Sequence, residues 1–232
     1  MEVQVQEIGR SKSKVVVIDD VLSHAQAAVD MAAALPAFPP ESRTAYPGRR
    51  YQIGPQDQAS LCVREILTVA GPVIQSQYDA DNYRVFEASF SLVTTPPRDR
   101  SPRQSIPHFD SEDPNYLAIL LHLHGVPDTG TAFYRHIASD LEQVSPDSAP
   151  RYRALAQAEL AAQAVDPAGR EGRAYANYEE IFRVEGRFNR LAIYQGSLIH
   201  SGYLAPGFSY SDDPRTGRLT ANIFIQIGKG GG

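Results

Sequence analysis

The sequence predicts an α+β protein built around an antiparallel β-sandwich or barrel, and three observations predict it. Helix-like segments come first and short strand-like runs follow, an order that sets helices to support a sheet rather than alternate with parallel strands. Those runs are rich in β-branched and aromatic residues and are bounded by turn formers, as where Pro96-Pro97 closes the run 85–93. The last run, 218–227, alternates cleanly. Arg218, Thr220, Asn222, Phe224 and Gln226 fall on one face, with Leu219, Ala221, Ile223, Ile225 and Ile227 on the other.

In chain order, the run 15–18 reads as a strand ended by Asp19 and Asp20. Ser23 is the expected N-cap of an alanine-rich helix over 24–35, which Pro36, Pro39 and Pro40 stop. The stretch 41–55 reads as loop, and a second helix is expected over 58–77. Strands are then expected at 85–93, 105–110, 115–124, 131–136, 182–183, 190–194, 197–200 and 218–227. An alanine-rich helix at 151–164 is inserted among them, and loops fall at 98–103, 166–173 and 206–217. Within one domain, this gives an N-terminal strand and helical support (1–82), a β core (83–228) and a flexible tail (229–232).

A chain of 232 residues with 42% hydrophobic and 21% charged content can bury a full core without staples. The net charge of −5 argues against a nucleic-acid or anionic-membrane partner, since both reward a basic face. Cys62 is the single cysteine, so no internal disulfide exists and a reducing cytoplasm is the expected compartment. No signal peptide and no membrane-length apolar run are read. The expected partner is a small-molecule substrate; a homodimer is left open.

The chemistry concentrates in three places. His108-Phe109-Asp110 sets an imidazole and a carboxylate two residues apart, so a strand projects both from one face toward one metal. By itself this pair is a weak signal. His200 ends the apolar run Leu198-Ile199-His200 and could complete a two-histidine, one-carboxylate set, the ligand set of iron(II) oxygenases. A closed zinc site would want four ligands, usually with cysteine. Arg218 and Thr220 head the polar face of the last strand. A guanidinium fork and a hydroxyl on one face suit an acidic cosubstrate.

The order His-x-Asp, distant His, then Arg-x-Thr on a final strand resembles the 2-oxoglutarate and iron(II)-dependent dioxygenases. Residues 16–23, Val-Val-Ile-Asp-Asp-Val-Leu-Ser, resemble the opening of their prolyl-hydroxylase-like and phytanoyl-hydroxylase-like branches, and Gly130-Thr131-Ala132-Phe133 resembles their Gly-x-Thr-x-Phe strand. The segments 46–49, 131–136 and 195–202 resemble the bacterial DUF6445 family. The resemblance implies a double-stranded β-helix (jelly-roll, cupin-like) core. It implies iron(II) held by His108, Asp110 and His200, and 2-oxoglutarate anchored by Arg218 and Thr220. It also implies oxygen as cosubstrate, with hydroxylation favoured over halogenation because Asp110 leaves no free site for halide.

Alternatives stand beside these readings. Arg215 rivals Arg218 as the anchor, though it sits in a Pro/Gly turn. His122 and His124 form a second His-x-His pair, read as sheet histidines rather than the metal site of a cupin-like binding protein. Tyr46, Arg49 and Arg50 flank Pro47-Gly48 in a loop that could cover the site and grip a substrate carboxylate or phosphate, or could be solvated.

Overall fold

The structure is a computed structural model that describes residues 2–41, 46–164 and 176–229. Two antiparallel sheets face each other. The major sheet has seven strands in the order β1-β2-β8-β5-β10-β4-β3 and the minor sheet three in the order β7-β6-β9. The major strands are β1 (Glu2–Ile8), β2 (Ser13–Asp19), β3 (Gly48–Gln52), β4 (Asn82–Val93), β5 (Tyr116–His122), β8 (Arg190–Gln195) and β10 (Leu219–Gly228). The minor strands are β6 (Thr129–His136), β7 (Tyr178–Glu185) and β9 (His200–Leu204). This is the double-stranded β-helix architecture.

Alternation along each strand divides the apolar residues between two layers. The outer face of the major sheet carries Phe90, Ile119, Leu191, Ile223 and Ile225, packed with α1 (Ala25–Ala34) and α2 (Ser60–Tyr78) through Val29, Ile66 and Ile74. Between the sheets, Val15, Val17, Ala118, Phe133, Ala192 and Tyr194 form a second cluster. A third joins α3 (Ala149–Ala164) to the minor sheet through Tyr134, Tyr152, Tyr178 and Ile199.

Several expectations are corrected. β1 occupies a stretch that reads in sequence only as a charged N-terminus, and β3 lies inside the expected 41–55 loop; both borrow their order from partners, β2 and β4. The N-terminal segment therefore contributes three strands to the sheet where one was expected. Helix α1 begins at Ala25, with His24 as N-cap and no side-chain cap. Ser23 donates instead to Glu65 Oε1 at 3.0 Å, which ties the helix start to α2. Residues 97–99 and 102–105 of the charged loop wind into two short 3₁₀ turns. The expected strand at 197–200 is largely a turn, and His200 opens β9 rather than ending a strand. The 166–173 loop and residues 230–232 of the tail lie outside the described residues.

Candidate metal centre

A short extended segment and the start of β9 build the centre. His108 and His200 exchange both backbone hydrogen bonds, each at 2.8 Å, and Asp110 N–H donates to Gly196 O at 2.6 Å. The 108–110 segment is thus laced to 196–200, and two residues apart on one face, His108 and Asp110 project together. Their ligating atoms and that of His200 all lie within 4.8 Å of one another, the one such cluster among the described residues.

The donors converge without satisfying each other. His108 Nε2 stands 3.7 Å from Asp110 Oδ1, and His200 Nε2 stands 3.6 Å from Asp110 Oδ2. Both separations exceed a hydrogen bond. His200 Nδ1 donates to Leu198 O at 2.8 Å, which fixes the tautomer and turns the Nε2 lone pair toward the carboxylate. Burial works against charge on His108 and Asp110. Burial, then His200 and Arg50, holds the His108 imidazole well below its usual range, although 38% of its side-chain surface remains exposed. Burial raises the Asp110 carboxyl and Glu87 adds to this, against the pull of His200 and Arg50. A neutral imidazole is the metal-binding form, and a divalent cation would relieve the buried carboxylate. The donor set therefore fits one metal ion with open positions.

A second, more deeply buried polar group faces it from the major sheet. Arg218 is 2% exposed; its Nη2 donates to Gly130 O at 2.7 Å, while Nε reaches no acceptor. The Thr220 and Thr131 hydroxyls are likewise buried without a hydrogen-bond partner. Tyr46 brings its hydroxyl against Arg218 and Thr220, and burial raises its pKa. His122 stands directly across from Thr220 on β5, with its Nδ1 3.2 Å from His124 Nε2. Burial and then Arg218 depress both imidazoles, His124 to about 3, so Arg218 is the cation of this group. Guanidinium and hydroxyl donors gathered around Tyr46 make a candidate socket of the kind that suits a carboxylate.

The sequence-derived residues thus fall into two groups between the sheets: His108, Asp110 and His200 on the minor-sheet side, and Arg218 and Thr220 at the start of β10 in the major sheet. Arg215 is on the surface, 3.4 Å from Asp30 and with a side chain 53% exposed. Tyr46 belongs to the socket and not to a loop over the mouth. Arg49 pairs with Leu92, whose side chain belongs to the helical layer, and its Nη1 donates to Phe38 O at 3.0 Å. Arg50 faces the site instead, its guanidinium 4.4 Å from the Tyr46 ring. The β3 register is the missing signal, because a one-residue change of parity exchanges the faces. Sequence reasoning also misses Thr131 and His122 as socket residues, since both come from strands distant in sequence.

The fold is that of iron and 2-oxoglutarate-dependent oxygenases. The α-ketoglutarate-dependent non-haem epimerase SnoN, from nogalamycin biosynthesis, superposes with a TM-score of 0.54 at 14% identity, over 94% of this chain and 80% of that one. HygX from Streptomyces hygroscopicus, solved with nickel and 2-oxoglutarate, gives a TM-score of 0.54 at 13% identity, over 94% and 84%. SnoN in complex with Fe3+, α-ketoglutarate and nogalamycin RO gives 0.52 at 16%, over 94% and 80%. The chain belongs to DUF6445, a family of unknown function, which matches residues 1–225. No curated protein matches it by sequence. Among the described residues, no helix is long and apolar enough to cross a membrane.

Proposed function

We propose that this protein is a non-haem iron(II) and 2-oxoglutarate-dependent dioxygenase that hydroxylates a small molecule. His108, Asp110 and His200 hold the metal; Arg218, Thr220 and Tyr46 hold the far carboxylate of 2-oxoglutarate. When bound, iron(II) and 2-oxoglutarate supply oxygen activation, with succinate and carbon dioxide as products and a C–H bond of the substrate as target. The protein's part is placement. Leu198 O orients the His200 ring, the backbone pairing of 108–110 with 196–200 fixes the ligands, and Tyr194 and Phe133 flank His200, excluding water on that side.

The observation that carries this reading is a convergent His-Asp-His group on the minor-sheet side set across from a buried group of donors at the start of β10 in the major sheet. A structural role would leave neither the unsatisfied Arg218 Nε nor the unsatisfied threonine hydroxyls, each a cost of about 1–3 kcal/mol. The cupin-like alternative would draw on His122 and His124, but no third ligating group joins them among the described residues. We assign the protein to the cytoplasm on its single cysteine, which can form no internal disulfide and is buried as a packing residue.

The test is turnover. Protein supplied with iron(II), ascorbate, oxygen and 2-oxoglutarate is expected to form succinate slowly without a second substrate, and His200→Ala to abolish it. Succinate formation that persists in the variant would contradict the assignment.

A further inference from the structure

Beside Asp110, the inner face of the major sheet carries a ladder of aromatic rings. Tyr116 stacks on Phe224 with centroids 5.7 Å apart and planes at 22°, and Phe86 lies 6.0 Å from Tyr116. Phe86 joins the ladder through a bulge: Phe224 pairs with Glu87 and Ile225 with Val85, so Phe86 is the extra residue in β4. Bulges re-aim side chains next to functional sites, and this one leaves Phe86 50% exposed at the end of the ladder. Gly196 seats the ladder against the metal centre. A Cβ there would stand 2.7 Å from the Tyr116 ring and 3.2 Å from Asp110 Cβ.

Arg50 reaches the same region. Its side chain is only 13% exposed, and its Nε is buried without a hydrogen-bond partner. Glu41 and Glu87 stand 3.9 Å from its Nη1, close enough to offset its charge and too far to accept its protons. Glu87 Oε1 already accepts from Gln52. Strand pairing sets Arg50 opposite Ser91, on the face that also carries Thr220, Glu87 and Phe224, and its charge acts on His108, Asp110 and Tyr116. Arg153, near the outer rim, differs: it is 56% exposed and already paired with Glu112. A buried guanidinium Nε without an acceptor is costly, and a planar carboxylate can pair with it and the neighbouring Nη through two parallel hydrogen bonds. A basic substrate would leave those donors unmet and add a second cation.

We infer that the primary substrate is an aromatic acid, with its ring laid along Phe86, Tyr116 and Phe224 and its carboxylate on Arg50. This rests on the proposed function, which places the oxidation at the metal centre beside Asp110. It separates two anion sites: the Arg218 socket for the cosubstrate and Arg50 for the substrate.

The probes are 3-phenylpropionate, its neutral amide, phenethylamine and hexanoate, titrated calorimetrically into protein loaded anaerobically with iron(II) and 2-oxoglutarate, and again without either. The acid is expected to bind at least about tenfold tighter than the amide and tighter than hexanoate, a difference of the size one charge-assisted pair gives. Arg50→Gln removes the preference for acid over amide, Arg50→Lys restores part of it, and Tyr116→Leu removes the preference for ring over hexanoate. Circular dichroism checks that each variant folds. Four results would overturn the inference: no binding of the acid, an acid no tighter than the amide, tightest binding of the amine, or an Arg50→Gln variant that loses more affinity for 2-oxoglutarate than for the acid. If 2-oxoglutarate fails to bind the wild type, the proposed function fails. The acid-against-amide comparison is still read in the unloaded protein.

Discussion

Outward from β10, Leu219, Ala221, Ile223 and Ile225 are buried in a layer shared with α1 and α2 that is apolar throughout. Inward, Arg218, Thr220 and Asn222 are just as deeply buried, yet Arg218 Nε, Thr220 Oγ1 and Asn222 Oδ1 have no hydrogen-bond partner. One strand therefore serves two layers of opposite character. The outer layer is complete as it stands, and its burial stabilises the fold. The inner layer keeps polar atoms without a protein partner, which under the proposed function a bound cosubstrate completes.

Substitutions can break or sharpen this contrast. The largest effect on stability is expected on the outer side. Phe90 is fully buried there, and Phe90→Ala should lower the unfolding free energy in urea by about 3–5 kcal/mol. On the inner side the order reverses. Arg218→Ala should cost about 2–3 kcal/mol of 2-oxoglutarate binding, read by calorimetry, while stability moves by less than about 1 kcal/mol. A stability loss as large as that of Phe90→Ala would erase the distinction between the layers.

Gly196→Ala tests the boundary between ladder and metal centre. Its Cβ would press on the Tyr116 ring and Asp110, costing about 1–3 kcal/mol in stability by overpacking and weakening iron(II) affinity in the same titration. Unchanged iron affinity would show that Asp110 is not held by this contact.

The smallest effect is expected far from both layers. Asp19 accepts from Arg190 Nε at 2.6 Å and Nη2 at 2.8 Å, joining β2 to β8, and this pairing lowers the Asp19 carboxyl below its usual range. Because the folded-state pKa is depressed, the contribution is present above the unfolded value near 4 and fades as pH falls through the lower folded one. Asp19→Asn should therefore cost about 1–2 kcal/mol at pH 7 and progressively less below pH 4, measured as urea midpoints. A cost independent of pH would contradict the pairing.

Much of this is legible in the sequence where periodicity is local. The alternation of residues 218–227 is enough to separate the two faces of β10, and the alanine-rich runs locate α1 and α3. What stays hidden depends on partners distant in the chain. β3 has a turn-like Pro47-Gly48 entry, and only its pairing with β4 makes it a strand, which is why residue order alone does not tell Arg49 from Arg50. The β1 residues are mostly exposed, so no buried face announces it. His108, Asp110 and His200 are found through residue type and order, whereas Thr131 and His122 meet Arg218's neighbourhood only through sheet topology. The bulge that presents Phe86 leaves no mark in composition.

The most direct test of the central claim is an anaerobic equilibrium titration of iron(II) into the wild type and His200→Ala, with circular dichroism to show that both are folded. The account predicts one iron per chain in the wild type and no stoichiometric binding in a folded variant. Stoichiometric iron in folded His200→Ala would contradict it.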